Sequence, residues 1–205
     1  FDSAADLARR AQLDARDLKL LARANALAAL SGHRHNAYWQ VAGIEAPTPL
    51  LASAPARETD AALTPPTEGE NIVIDYASTA LTLGRHPLAL LRRRLKQMRL
   101  VTAAELNRFP HGRLARTAGI VTGRQRPGTA SGVVFVTLED ETGNVNVVVW
   151  RDIGERQRRE LLTARLLGVH GILERDGEVV HLIAGRLTDH TALLGQLATR
   201  SRDFH

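Results

Sequence analysis

The sequence predicts an α+β protein in which an N-terminal helical segment is followed by a five-stranded β-barrel. Near the N-terminus, apolar residues recur at the 3.6-residue period of a helix, whereas residues 113–188 contain five strand-like stretches separated by turns. A proline-rich stretch divides the two regions. The chain has 205 residues and 44% of them are hydrophobic, which is enough for one domain or two small ones with buried cores.

Residues 1–45 are predicted to be helical. Ser3 and Asp14 are suited to cap the first two helices, and the second helix is expected to begin after Asp14 and to carry the apolar residues from Leu18 to Leu30. The turn at 31–33 contains a glycine and precedes a third helix over 34–41. Helices joined in this way are compatible with a helix-hairpin-helix-like segment that grips a DNA backbone. An ordinary piece of a helical bundle fits equally well and is the favoured interpretation.

The next two segments are predicted to connect the helices to the barrel. Residues 46–71 hold five of the eight prolines and are expected to form an extended linker. Residues 72–112 form a basic connecting segment, in which ordered structure restarts at Ile72 and Pro87 occupies the first turn of a helix over 88–100.

The barrel is predicted from the order of its elements. Three strands, one helix and two strands follow one another over about seventy-five residues, which is the order of an OB-fold. The domain is therefore assigned to residues 113–188, and residues 189–205 are expected to form a C-terminal helix and tail. The expected elements are strands at 113–124, 133–140 and 144–150, a helix at 151–162, and strands at 165–174 and 178–187.

Positive charge is concentrated in one part of the chain. The formal net charge is +5, yet residues 85–126 contain eleven Lys or Arg residues and a single acid, Glu105. A basic segment beside acidic flanks indicates a nucleic-acid-binding surface. The alternative is a solvated helix face that binds nothing.

The candidate binding residues follow from how OB-folds bind single strands, with a basic groove and aromatic side chains on the second and third strands. Alternation along the second strand directs Phe135 away from the core, and a register shift of one residue would instead place it in the core. The adjacent loop carries Arg124 and Arg126. Trp150 is expected to pack against the following helix. His170 and Arg186 are secondary candidates. The predicted DNA-binding residues are Arg124, Arg126, Phe135, Arg116, Arg113, Arg92, Arg93, Arg94 and Lys96.

The sequence offers no set of residues suited to catalysis or metal binding. Cysteine and glycine-rich phosphate loops are absent, and the eight histidines are scattered. The acidic run 139–141 falls at a hairpin turn, where acids are common for conformational reasons. We therefore expect no catalytic residue, no metal site and no cofactor within this chain. Without a membrane-spanning run or a signal pattern, a cytoplasmic location is expected.

Several stretches resemble the error-prone, damage-inducible branch of the bacterial C-family DNA polymerases. They are the segment from Asp75-Tyr76 to Leu90-Leu91, the loop Gly123-Arg124-Gln125-Arg126-Pro127-Gly128, the stretch 135–143, Val148-Val149-Trp150, the hairpin 177–181 and the terminus Ser201-Arg202-Asp203-Phe204-His205. The resemblance covers residues 72–205 strongly and 1–45 weakly. Ala77 and Ala80 depart from the family pattern, in which Arg and Gly are expected.

The resemblance implies the non-catalytic C-terminal part of a polymerase that acts in translesion synthesis, induced mutagenesis and DNA repair. The chain begins at Phe1 rather than Met, so it is expected to be a fragment, with the catalytic core and its Mg²⁺ upstream. The OB-fold would contact single-stranded template in primer-template DNA.

Two alternative functions remain open. In one, the module docks an accessory Y-family-like scaffold protein and, through it, the sliding clamp. The other is an anticodon-type OB module of an RNA enzyme, which the leading helices disfavour. A convincing clamp-binding peptide is lacking, since 49–51 is the only short hydrophobic motif in the linker.

Overall fold

A computed structural model describes residues 1–44, 63–128, 132–197 and 202–203. The chain divides into two compact units, residues 1–84 and residues 85–205. The predicted connecting segment 72–112 is therefore shared between both units rather than forming a region of its own. Among the described residues, no helix is long and apolar enough to cross a membrane.

In residues 1–44 and 63–84, the described part of the first unit, there are five helices: α1 (Ala4–Ala11), α2 (Ala15–Arg23), α3 (Ala28–Ser31), α4 (Arg34–Ala42) and α5 (Glu68–Thr79). The Ser3 side chain accepts from the backbone N–H of Asp6, and Asp14 accepts from the first-turn amides of α2, as the sequence predicts. A buried apolar cluster joins the first four helices, with Leu18, Leu27 and Val41 at its centre.

A buried ion pair links α4 to α5. The guanidinium of Arg34 pairs with Asp75 and donates to the backbone carbonyl of Asn71 at 3.1 Å. Asp75 also accepts from the hydroxyl of Thr82 at 2.7 Å. Because a buried charge is costly unless it is paired, these contacts hold the two helices in a defined arrangement.

Two of the predicted boundaries in this unit are wrong. The second helix does not continue to Leu30, because Asn25 adopts a left-handed conformation (φ 59°) after α2 has ended at Arg23. Helix α5 begins at Glu68, inside the predicted linker 46–71, because Thr67 and Glu70 form a capping box. The remaining linker residues up to 62, including the motif at 49–51, lie outside the described part of the chain.

The second unit contains the barrel. Two helices, α6 (Pro87–Gln97) and α7 (Ala103–Leu106), precede it. The strands are β1 (Leu114–Gln125), β2 (Val134–Asp140), β3 (Gly143–Val149), β4 (Leu166–Asp176) and β5 (Val179–Asp189), with α8 (Arg151–Arg156) and α9 (Arg158–Thr163) between β3 and β4. A 3₁₀-helix over Thr191–Leu197 and a short strand β6 (Arg202–Asp203), which pairs with β1, follow.

The strands close into a barrel in the order predicted for an OB-fold. Neighbours run β2-β3-β5-β4-β1, and pairing of β1 with β2 closes the ring. Strand β1 serves two partners because a bulge between Val121 and Gly123 bends it. Strands β4 and β5 approach each other so closely at Gly171 that an added Cβ would lie 2.0 Å from the carbonyl oxygen of Ile183. The predicted five-stranded OB-fold barrel is confirmed.

The predicted single helix 151–162 is two helices. Gln157 leaves helical geometry (φ −118°, ψ 40°) and separates α8 from α9. Its side-chain amide donates to the carbonyl of Leu187 and accepts from the same residue's N–H, both at 2.9 Å. A tertiary contact to β5 therefore decides the break, and sequence periodicity does not report such a contact.

Part of the outer barrel surface is covered by α6. Leu88 and Leu95 of this helix pack with Ala118, Ile120 and Leu166, which lie on the outer surface of β1 and β4.

Candidate nucleic-acid interface

A row of apolar side chains crosses the outer surface of the barrel. Strand register aligns Phe135 with Val148, Val148 with Ile183, Ile183 with Ile172, and Ile172 with Leu114. Residues aligned in this way on neighbouring strands share one face of the sheet. The row spans four interstrand spacings, about 19 Å along the curved surface. We call these five residues the apolar row.

The apolar row is open to solvent at both ends. Phe135 is 37% exposed, Ile172 is 47% exposed and Leu114 is 77% exposed, whereas Val148 is buried. The core-facing neighbours Val136 and Leu138 are fully buried. The predicted alternation of β2, with Phe135 opposite the core, is therefore confirmed.

Trp150 differs from the prediction. Its side chain is 52% exposed, so about half of it is open to solvent beside the following helix. Because Trp150 follows Val148 by two residues, strand alternation directs both towards the outer surface. A second aromatic side chain therefore lies at the end of β3, beside the apolar row.

Three basic side chains form a second row next to the first. Register aligns Arg116 with His170 and His170 with Arg186. Arg116 and His170 lie two residues from Leu114 and Ile172 on the same strands, so the rows are about 7 Å apart. We call Arg116, His170 and Arg186 the basic row. Its two arginines and the apolar row together can contact phosphates and bases.

Arg124 contributes to the structure of the barrel rather than to its open surface. Its Nε donates to the carbonyl oxygen of Leu161 at 2.7 Å, and its Nη2 donates to the carbonyl oxygen of Ala164. These carbonyls lie at the C-terminal end of α9, where a cation is favourable. Two of its guanidinium nitrogens, Nε and Nη2, are therefore engaged within the fold, and the phosphate-binding role of Arg124 stays a prediction.

Arg92 is also engaged within the fold. Its guanidinium forms ion pairs with Glu141 and, at 3.2 Å, with Asp140. Glu139 lies 3.6 Å from His86, so the whole acidic run binds α6 or the residue before it. Nε and Nη2 of Arg92 are therefore engaged within the fold, and its DNA-binding role stays a prediction. Among the described residues, no group of three His, Asp or Glu side chains could hold a metal ion.

The other predicted cations are exposed. Arg93, Arg94 and Lys96 lie on α6, and Arg126 begins the β1–β2 loop. Arg113 stacks its guanidinium over the ring of Phe109, 3.8 Å from the ring centroid, so its charge is partly used within the fold. Their DNA-binding roles stay predictions.

Among the described residues of this unit, three histidines have lowered pKa values. Burial lowers the pKa of His170, and the neighbouring Arg116 and Arg186 lower it further. Burial also lowers the pKa values of His86 and His190, against the opposing effect of nearby carboxylates.

These shifts predict acid destabilisation of the barrel unit. A histidine whose pKa is lower in the folded state binds fewer protons there than in the unfolded chain. The contribution of these histidines to the free energy of unfolding is therefore fully present above the pKa of the unfolded chain, about 6.5. It is lost as the pH falls through that value. Denaturant unfolding between about pH 7.5 and about pH 5.5 should show this loss, and His170→Gln should reduce it. A free energy of unfolding that is constant or rises towards acid pH would contradict the assignment.

The sequence alone does not place Trp150 beside the apolar row, and it does not align His170 and Arg186 with Arg116. Their proximity depends on strand register, and the signal that could have found it was the pairing of β4 with β5 across the turn at Gly177.

Comparison with known proteins agrees with this geometry. The OB-fold nucleic acid binding domain family matches residues 115–189. Over the whole chain, the sequence is 60% identical to an error-prone DNA polymerase of Azoarcus sp. (strain BH72), of which it covers 19%. An error-prone DNA polymerase of Pseudomonas aeruginosa is 57% identical over 98% of this chain, which covers 20% of that protein.

The chain is homologous to a segment of error-prone DNA polymerases. The resemblance predicted from the sequence motifs is confirmed, and so is the assignment of the barrel to the OB-fold type. The chain spans about one fifth of the length of the error-prone DNA polymerases it matches.

Proposed function

We propose that the barrel binds single-stranded template DNA as a non-catalytic part of an error-prone polymerase that acts in translesion synthesis and DNA repair. The observation that carries the proposal is the apolar row, which begins at Phe135 and lies beside the basic row on the open surface of an OB barrel. The proposed role places the protein in the cytoplasm, with the bacterial chromosome.

The two rows suit a flexible single strand. Bases stack on aromatic and aliphatic side chains whatever their sequence, and phosphates are attracted by the neighbouring cations. Duplex DNA hides its bases in the stack, so it would gain only the phosphate contacts. We therefore expect preference for single strands with little sequence specificity.

DNA synthesis is assigned to the parts of the polymerase that this chain does not cover. Carboxylates converging from separate elements are needed to hold the catalytic Mg²⁺ ions of a polymerase. In the described residues, Asp140 and Glu141 are bound to Arg92 instead. We propose that the catalytic Mg²⁺ binds only in the part of the polymerase that lies outside this chain.

A charge-matched comparison tests the binding surface. We expect Arg116→Gln/Arg186→Gln to weaken binding of a fluorescent single-stranded oligonucleotide. The slope of log K against log salt concentration should decrease in magnitude by about 1.4. Arg108→Gln/Arg159→Gln removes the same charge from exposed positions outside both rows and should have a smaller effect. Equal losses of affinity in the two double variants would show that only net charge matters and would refute DNA binding at the two rows.

A second function, protein docking, is favoured by the surface of the first unit. Tyr38 and Trp39 of α4 are 43% and 57% exposed, in a unit with ten acidic and seven basic residues. Exposed aromatics without excess positive charge suit a protein partner better than DNA. The proposed partner is a Y-family-like scaffold protein, which would connect the polymerase to the sliding clamp. Trp39→Ala should then weaken scaffold binding and leave binding of single-stranded DNA unchanged.

A further inference from the structure

We propose that a cleft at one end of the barrel binds a backbone phosphate of the strand whose base stacks on Phe135. The inference rests on the proposed function and extends the binding site to the helices between β3 and β4. The cleft lies between the start of the β1–β2 loop and α8–α9, and has a volume of about 300 Å³.

The cleft is basic. Four arginines and one acid line it: Arg124, Arg126, Arg151, Arg158 and Glu155. A concave wall that carries an excess of one charge concentrates the opposite charge. The planar guanidinium group suits the oxygens of a phosphate, which it can bind through two parallel hydrogen bonds.

The four arginines differ in availability. Arg124 is held by the carbonyls of Leu161 and Ala164 through its Nε and Nη2. Arg151 pairs with Glu155 at 2.8 Å, but both side chains are about two-thirds exposed, so this pair is readily broken. The guanidinium groups of Arg126 and Arg158 are exposed and have no hydrogen bond or ion pair to any described residue. These two are the primary ligands.

The cleft wall is built by contacts across elements. Gly132, at the end of the β1–β2 loop, has φ 88° and lies against the stem of Arg151, so an added Cβ would be 3.2 Å from its Cδ. Arg124 fixes β1 to α9 through two carbonyls. The arginines from the loop and from the helices therefore face a common space.

The position of the cleft connects it to the stacking surface. Gln125 and Val134 line the cleft, Gln125 is aligned with Phe135 in the sheet, and Val134 directly precedes Phe135. Consecutive Cα atoms are about 3.8 Å apart, so the mouth of the cleft lies at the edge of the apolar row. A single DNA strand that leaves the apolar row at Phe135 would bring a phosphate over Arg126 and Arg158.

Single substitutions with an adjacent control test the inference. In the full chain, Arg158→Gln should weaken binding of a fluorescent oligo-dT about five- to tenfold at low salt and reduce the salt slope by about 0.7. Arg126→Gln/Arg158→Gln should reduce the slope by about 1.4. Arg159→Gln removes the same charge from the neighbouring exposed position, which does not line the cleft, and should leave the slope unchanged. Equal melting temperatures of the variants establish that the fold is intact.

The outcomes separate the cleft from the proposed function. If Phe135→Ala weakens binding while Arg158→Gln and Arg159→Gln have equal salt slopes, phosphate binding in the cleft is refuted and the proposed function stands. If the unmodified chain does not bind single-stranded DNA at low salt, both are refuted. A reduced slope in Arg158→Gln but not in Arg159→Gln supports the cleft.

Discussion

Replacing Asp140 with alanine is expected to lower the free energy of unfolding of the barrel unit by about 3 kcal/mol. The buried carboxylate accepts from the N–H of Ala103 at 2.8 Å, from the N–H and hydroxyl of Thr142 at 2.7 Å each, and from Arg92 at 3.2 Å. Its loss leaves the buried N–H of Ala103 without an acceptor, and it leaves the largely buried guanidinium of Arg92 paired with Glu141 alone. One side chain thus connects α6, α7 and the β2–β3 turn.

Denaturant unfolding of Asp140→Ala and of the unmodified chain measures this effect. Asp152→Ala is the matched control, because Asp152 forms an exposed i,i+4 pair with Arg156 and should change stability by less than about 0.5 kcal/mol. Equal stabilities of the two variants would mean that the acidic run at 139–141 does not brace the barrel.

Replacing Phe135 with alanine is expected to weaken binding of single-stranded DNA by about 1–3 kcal/mol, or roughly 5- to 150-fold. The ring is exposed at the start of the apolar row, where a base can stack on it. Because stacking does not depend on charge, the salt dependence of binding should remain unchanged. Fluorescence anisotropy with a short oligo-dT at several salt concentrations measures both quantities.

Two further variants define what the ring contributes. Phe135→Trp keeps an aromatic surface and should retain most of the affinity, whereas Phe1→Ala removes an exposed phenylalanine from the other unit and should have no effect. Unchanged affinity in Phe135→Ala would exclude stacking at this position.

Local patterns were sufficient to predict the barrel. Alternation along β2 placed Phe135 outside and Val136 and Leu138 inside, and the order of elements predicted the OB-fold. These features depend on the period of a strand and on turn residues that lie close together in sequence.

Features that depend on distant partners were not predicted. Arg124 was assigned to phosphate binding because it lies near a loop, yet its partners are carbonyls 37 and 40 residues away. Arg92 similarly finds its acids 48 and 49 residues away. The break at Gln157 depends on Leu187, and the basic row depends on the register of three strands. Such contacts are properties of the tertiary fold and leave no local pattern.

The most direct test of the proposed binding surface is a methyl NMR titration of the chain, labelled at Ile, Leu and Val, with oligo-dT. Ring currents of stacked bases should shift the methyl signals of Leu114, Ile172 and Ile183 in the apolar row. The signals of the buried Leu182 and of Leu20 in the first unit should remain in place. Shifts confined to the first unit, or an unchanged spectrum at saturating DNA, would contradict binding on this surface.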